Sequence, residues 1–189
     1  MEVQKEVLNV LRKIISGGQT GVDRAAVDSA RACVSYSWGG WVPKGRLAED
    51  GQLGVEYFTT DRVGCGMKEC DDSRYAKRTR LNIRDSDATL ILKAGRITPG
   101  TKLTITTARK TEKPYRIIDP YKNYFLPRVT QWICEGGFEV LNVAGPRESS
   151  RPGIYERSNQ YLLDLWHLCF MYERWGLKVW DPKKSATNQ

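Results

Sequence analysis

A chain of 189 residues, 40% hydrophobic and 28% charged with 17 glycines and 8 prolines, has the makeup of one globular domain, and this excludes a disordered or fibrous protein. Its apolar runs fall well short of the roughly 20 residues a membrane span needs, and its mixed-charge start has no apolar leader, so a cytoplasmic protein without a membrane partner is expected. Five scattered cysteines and one histidine argue against a disulfide framework or a metal site, and the net charge of +8 favours an anionic partner. The basic residues form no stripe interleaved with aromatics, so a nucleic-acid partner is not expected.

The apolar run Leu11 to Ser16 predicts a strand ending in Gly17-Gly18, followed by an alanine-rich helix from Asp23 to Cys33. Val34 to Trp38 predicts a second strand, closed by Gly39-Gly40. Residues 39–72 carry glycine, proline and charge with little periodicity, and are read as a ligand-facing insertion. Helical spacing returns from Ser73 to Ile83, then Asp87 to Leu92 predicts a strand covered on both faces. A helix is expected over Thr101 to Arg109, a strand over Tyr115 to Ile118, a helix over Tyr121 to Glu135 and a strand over Phe138 to Ala144. A long amphipathic helix then runs from about Pro152 to Trp175.

This alternation predicts a single α/β domain over 1–189 with a Rossmann-like three-layer α/β/α architecture and a mainly parallel sheet of about five to seven strands. Ligands in such sheets bind beyond the carboxyl ends of the strands, so the loops there carry the functional argument.

The first such loop, Gly17-Gly18-Gln19-Thr20-Gly21 with Asp23 and Arg24, offers free backbone amides and a helix start to a phosphate. The glycines alone would also suit a tight turn. Lys44 and Arg46 flank Gly45 as a phosphate or carboxylate clamp, or as ordinary surface cations. Tyr75, Arg78, Thr79 and Asn82 form a polar strip on one helix face, turned to solvent or to a site. Gly100-Thr101 opens a helix after a strand, repeating the first arrangement. Asn142 to Ser149 ends another strand, with Gly145 and the forked donor Arg147, and with Ser149 or Ser150 as an N-cap. The Gly17 to Thr20 loop is neither a Walker A loop nor the G-x-G-x-x-G dinucleotide fingerprint. His167, within the last helix, is read as packed rather than catalytic.

On these segments the sequence resembles the family named "putative molybdenum carrier", a Rossmann-like group related to the lysine-decarboxylase-like, cytokinin-activating nucleotide-binding proteins. The resemblance covers about residues 12 to 165. It implies a nucleotide or molybdopterin-type cofactor at the strand ends, and a homo-oligomer. The cytokinin-activating relatives carry a Pro-Gly-Gly-x-Gly-Thr-x-x-Glu motif; here Gly100-Thr101-Lys102-Leu103 leads to Thr104, so the glutamate used in chemistry is missing.

Two functions follow as expectations. The first is binding or carrying of a phosphorylated small-molecule ligand by Gly17, Gly18, Gln19, Thr20, Gly21, Gly100 and Thr101. Arg24, Lys44, Arg46 and Arg147 would supply charge, and Asp23, Asn142 and Gly145 would set orientation. The alternative is a nucleotide-processing hydrolase or transferase acting on a phosphoribosyl-containing substrate through Asp23, Asp85, Asp87 or Glu148. A third reading is a regulatory module that uses the aromatic residues Trp166, Tyr172 and Trp175 to meet a partner, against the plainer reading of these rings as core or dimer contacts.

Overall fold

The computed structural model describes residues 11–122 and 126–175. Eight strands, β1 (Lys13–Ile15), β2 (Ser37–Val42), β3 (Leu47–Ala48), β4 (Gly51–Gln52), β5 (Gly66–Glu69), β6 (Ala88–Leu92), β7 (Tyr115–Ile118) and β8 (Val140–Ala144), alternate with five helices. These are α1 (Val22–Ala32), α2 (Tyr75–Arg84), α3 (Pro99–Lys110), α4 (Leu126–Glu135) and α5 (Ile154–Trp175). Six strands build one sheet in the order β5-β2-β1-β8-β6-β7, and every pairing in it is parallel. β3 and β4 form a separate antiparallel hairpin.

Parallel pairing requires crossovers, and right-handed crossovers decide which face each helix covers. The rightward and leftward steps along the sheet put α1, α4 and α5 on one face, where α5 packs on both α1 and α4, and α2 against α3 on the other. All five residues of β6 are buried, as its unbroken apolar sequence requires for a strand covered on both sides. Ile14, Leu90, Leu141, Leu162 and Trp166 share the main core, and each such side chain contributes about 1.5–3 kcal/mol by leaving water. The Trp166 indole N–H also donates to Ser29 Oγ at 3.0 Å, so its one polar atom is satisfied.

Several boundaries differ from the sequence expectation for physical reasons. The second strand begins at Ser37 and runs through Gly39-Gly40, while Val34 is 90% exposed. A Cβ on Gly40 would lie 2.0 Å from the Ser16 carbonyl, so these glycines permit close strand packing inside β2 and do not end it. Residues 39–72 are more than an insertion, since they hold most of β2, the β3–β4 hairpin and the edge strand β5. His167 is exposed on α5, so it is not the packed histidine expected. Trp166 and Tyr172 are core residues, and only Trp175 of the three aromatics is exposed. Among the described residues no helix is long and apolar enough to cross a membrane, and the five cysteines are free thiols.

Candidate functional site

The chain leaves β1 for β2 and β5, crosses back to β6 and β7, and finally inserts β8 beside β1. The strand order therefore reverses at β1 and β8, and a crevice opens beyond their carboxyl ends. The loop after β1 and the loop after β8 meet there: Val22 N–H donates to the Pro146 carbonyl at 3.2 Å. Gly21 has φ +73°, and a Cβ on it would stand 2.5 Å from Pro146 O and 2.7 Å from Glu148 N. No other residue allows the two loops this contact.

A cavity of about 300 Å³ lies in the crevice. The β1 loop and α1 supply Gln19 and Asp23, α2 supplies Tyr75, Arg78 and Thr79, α3 supplies Thr98, Pro99 and Gly100, and the β8 loop supplies Gly145, Arg147 and Ser149. Arg78 Nη1 donates to Asp23 Oδ2 at 2.6 Å, with side-chain exposures of 13% and 4%. Burial pushes the Asp23 carboxyl up, while Arg78 and the amides of Gly145 and Gln19 oppose this by favouring the charged form. Gly17 makes room for the pair, because a Cβ there would fall 1.5 Å from Arg78 Nη1.

Two buried donors in this wall have no partner, Gln19 Nε2 and Arg78 Nε. Gln19 is fixed from its other end, where Oε1 accepts from Thr20 N at 3.0 Å and Glu49 N at 2.8 Å. The Tyr75 ring has the Arg147 guanidinium 5.6 Å and the Arg78 guanidinium 6.0 Å from its centroid. Thr98 caps α3 by accepting from Thr101 N at 3.2 Å, with Pro99 in the first turn, so the positive end of a 12-residue helix faces the cavity.

A second cavity of about 670 Å³ adjoins the first and shares Ser149 with it. Thr20, Gly21 and Arg24 line it, together with the carboxylates Asp28, Glu49, Asp50, Glu148 and Glu156. A still larger cavity of about 740 Å³, between β7 and α4, lies away from the strand ends and contains none of the expected site residues.

The structure thus brings Gln19, Asp23, Gly100, Gly145 and Arg147 to the smaller cavity and Thr20, Gly21 and Arg24 to its neighbour. Gly17 backs Arg78, whereas Gly18 sits over Val42, Leu53 and Met67 on the apolar side of its loop. Thr101 is buried with its hydroxyl 2.9 Å from Thr98 Oγ1, and Asn142 lies inside the sheet and donates to Thr89 Oγ1 at 3.3 Å. Lys44 and Arg46 reach neither cavity; Arg46 stacks 4.2 Å over Phe58 and faces Glu69 at 3.6 Å.

The polar strip Tyr75, Arg78, Thr79 does face the site, while Asn82 holds β2 by accepting from Trp41 N at 2.8 Å and donating to Trp41 O at 3.1 Å. Glu148, and not Ser149 or Ser150, serves the start of α5, where its carboxylate accepts from Gly153 N and Tyr155 N. Asp87 accepts from Glu139 N and Val140 N, and Asp85 from Trp41 Nε1 and Arg84. Glu49 also lines the second cavity, although nothing local in its sequence marks it.

A parallel sheet whose loops and helix starts converge on one polar crevice at the reversal of strand order defines a Rossmann-like α/β protein. Residues 14–166 match the model of the circularly permutated YpsA SLOG family, cpYpsA, and the chain belongs to that family. It is also similar to a crystal structure from Syntrophus aciditrophicus SB described as a "putative molybdenum carrier protein". That likeness has 38% identity and a TM-score of 0.68 over 85% of this chain and 96% of the other. The resemblance to the family named "putative molybdenum carrier" is thereby shown. No curated protein matches the chain.

Proposed function

We propose that this chain binds and carries a phosphorylated, nucleotide-like or molybdopterin-type ligand, with the anionic end in the cavity between β1, β8, α2 and α3. The observation that carries this reading is the pair of buried donors without partners, Gln19 Nε2 and Arg78 Nε, in the wall of a polar cavity. A buried donor left unpaired costs about 1–3 kcal/mol, and an oxyanion accepting from both would remove that cost. Arg147 and the start of α3 line the same cavity and add positive potential to it. Tyr75 lines the same cavity and keeps two guanidiniums, those of Arg147 and Arg78, within about 6 Å of its ring, which adds to the cationic character of the site.

A carrier role is preferred over turnover because the candidate carboxylates have other work. Asp85, Asp87 and Glu148 are engaged by backbone or neighbouring side chains, and Asp23 orients Arg78. The name of the Syntrophus relative suggests molybdenum as cargo. The donors here are guanidiniums and amides, which suit an oxyanion or a phosphorylated cofactor and not a bare cation. Among the described residues no group of three or more His, Cys, Asp or Glu side chains stands ready to hold a metal ion.

Isothermal titration with AMP and with molybdate tests the reading. Binding to the native chain that falls more than about tenfold in Arg78→Met supports it. Unchanged affinity in that variant refutes it, and release of base or phosphate from AMP would replace the carrier by a hydrolase.

A further inference from the structure

The Glu49 carboxylate is bound by groups that the two loops would otherwise offer to a ligand. It accepts from Thr20 Oγ1 and Ser149 Oγ, and from Ser149 N–H at 3.0 Å, with Arg147 Nη1 3.7 Å away. Thr20 belongs to the loop after β1, and Ser149 and Arg147 to the loop after β8. Although Glu49 stands at the tip of the β3–β4 hairpin, its side chain is only 18% exposed. A backbone amide, two hydroxyls and a guanidinium around one carboxylate are the donor set that receives a phosphoryl group elsewhere.

The position of this carboxylate is informative. Ser149 and Arg147 also line the smaller cavity, and Ser149, Thr20 and Glu49 line the larger, so Glu49 stands at the seam between them. Its neighbour Asp50 takes both ends of the Arg24 guanidinium at 3.2 Å, which latches the hairpin a second time. At the base of the hairpin Gly45 and Arg46 lie consecutively at φ +81° and +56°. A left-handed non-glycine residue is strained, and such strain is found where a segment can change state.

We propose that Glu49 is an internal stand-in for a second oxyanion, and that a diphosphate-class ligand displaces the 47–52 hairpin to span both cavities. The inference rests on the ligand reading of the smaller cavity given above. Glu49 competes with the second phosphoryl group, so apparent affinity is lowered by the fraction of molecules in which the hairpin is closed.

Titration with inorganic pyrophosphate compares the native chain with Glu49→Gln and Arg78→Met. Glu49→Gln is expected to bind at least about tenfold tighter than the native chain. Equal or weaker binding by a folded Glu49→Gln overturns the stand-in. Native affinity in Arg78→Met overturns the reading of the smaller cavity instead, so the two fail separately. Absence of pyrophosphate binding in the native chain and in Glu49→Gln alike overturns both. Should Glu49→Gln not fold, amide hydrogen exchange over 47–53 of the native chain decides: faster exchange at saturating pyrophosphate supports displacement, and unchanged exchange refutes it.

Discussion

Arg78 and Asp23, 55 residues apart, meet at 2.6 Å beneath the loop after β1 and are both almost entirely withdrawn from water. A buried ion pair of this kind adds little to stability as a pair, yet losing one partner leaves the other charge stranded. Arg78→Met is therefore expected to cost about 3–5 kcal/mol of unfolding free energy, and adding Asp23→Asn to it should recover part of that loss. Urea unfolding of the two single variants and the double variant checks this. A double variant as unstable as the sum of the singles would show that the residues do not act together.

Neighbouring glycines should give opposite results. Gly17→Ala places a methyl group on the Arg78 guanidinium and should abolish ligand binding. Gly18→Val instead meets Val42 at 3.0 Å and Leu53 at 3.1 Å with φ at +69°, so it should destabilise the fold by about 2 kcal/mol. Binding titrations beside thermal melts separate the two. The repetition of glycine in Gly17-Gly18 is visible in the sequence, but which of them faces the site depends on the apolar layer formed by Val42, Leu53 and Met67.

That contrast describes how far the sequence carries. β6 and α5 were legible because a continuous apolar run and a long amphipathic period are local signals. The loops after β1, β6 and β8 were legible because glycine and proline punctuate strand ends. β5 was not, since Gly66-Met67-Lys68-Glu69 has no β-branched residue and is held as a strand by its ladder to β2. In the sequence Arg78 is only one member of a polar strip, while Lys44 and Arg46 read as a clamp, because the crossover geometry decides which cations reach the crevice.

Asn82 should prove structural. Its side-chain amide pairs with both backbone polar groups of Trp41, and Asn82→Ala takes that partner from a part-buried N–H and carbonyl at a cost of about 2 kcal/mol. Asn82→Asp restores the acceptor for Trp41 N–H but not the donor for Trp41 O. Chemical denaturation should rank native above the alanine variant by that amount, and equal midpoints would remove Asn82 from the support of β2.

Acid should loosen the hairpin. Burial alone would raise the Glu49 carboxyl, but the hydrogen bonds from Ser149 and Thr20 outweigh it and hold Glu49 below the usual carboxylate range. A folded-state value below the unfolded one means that the contribution to stability is present above the ordinary glutamate value and is lost as pH falls through the lowered one. The Tm difference between the native chain and Glu49→Gln should therefore shrink between about pH 6 and pH 3. A constant difference would show that the carboxylate charge is not what holds the latch.

The central neighbours β1 and β8 are the first and last strands of the described chain, and the Ser16 hydroxyl reaches the Val143 carbonyl across 127 residues. During synthesis the loop after β1 emerges early and waits for β8 to slot in beside it. The crevice is accordingly the last part of the sheet to exist, and a chain arrested before residue 140 has its first loop but nothing opposite it.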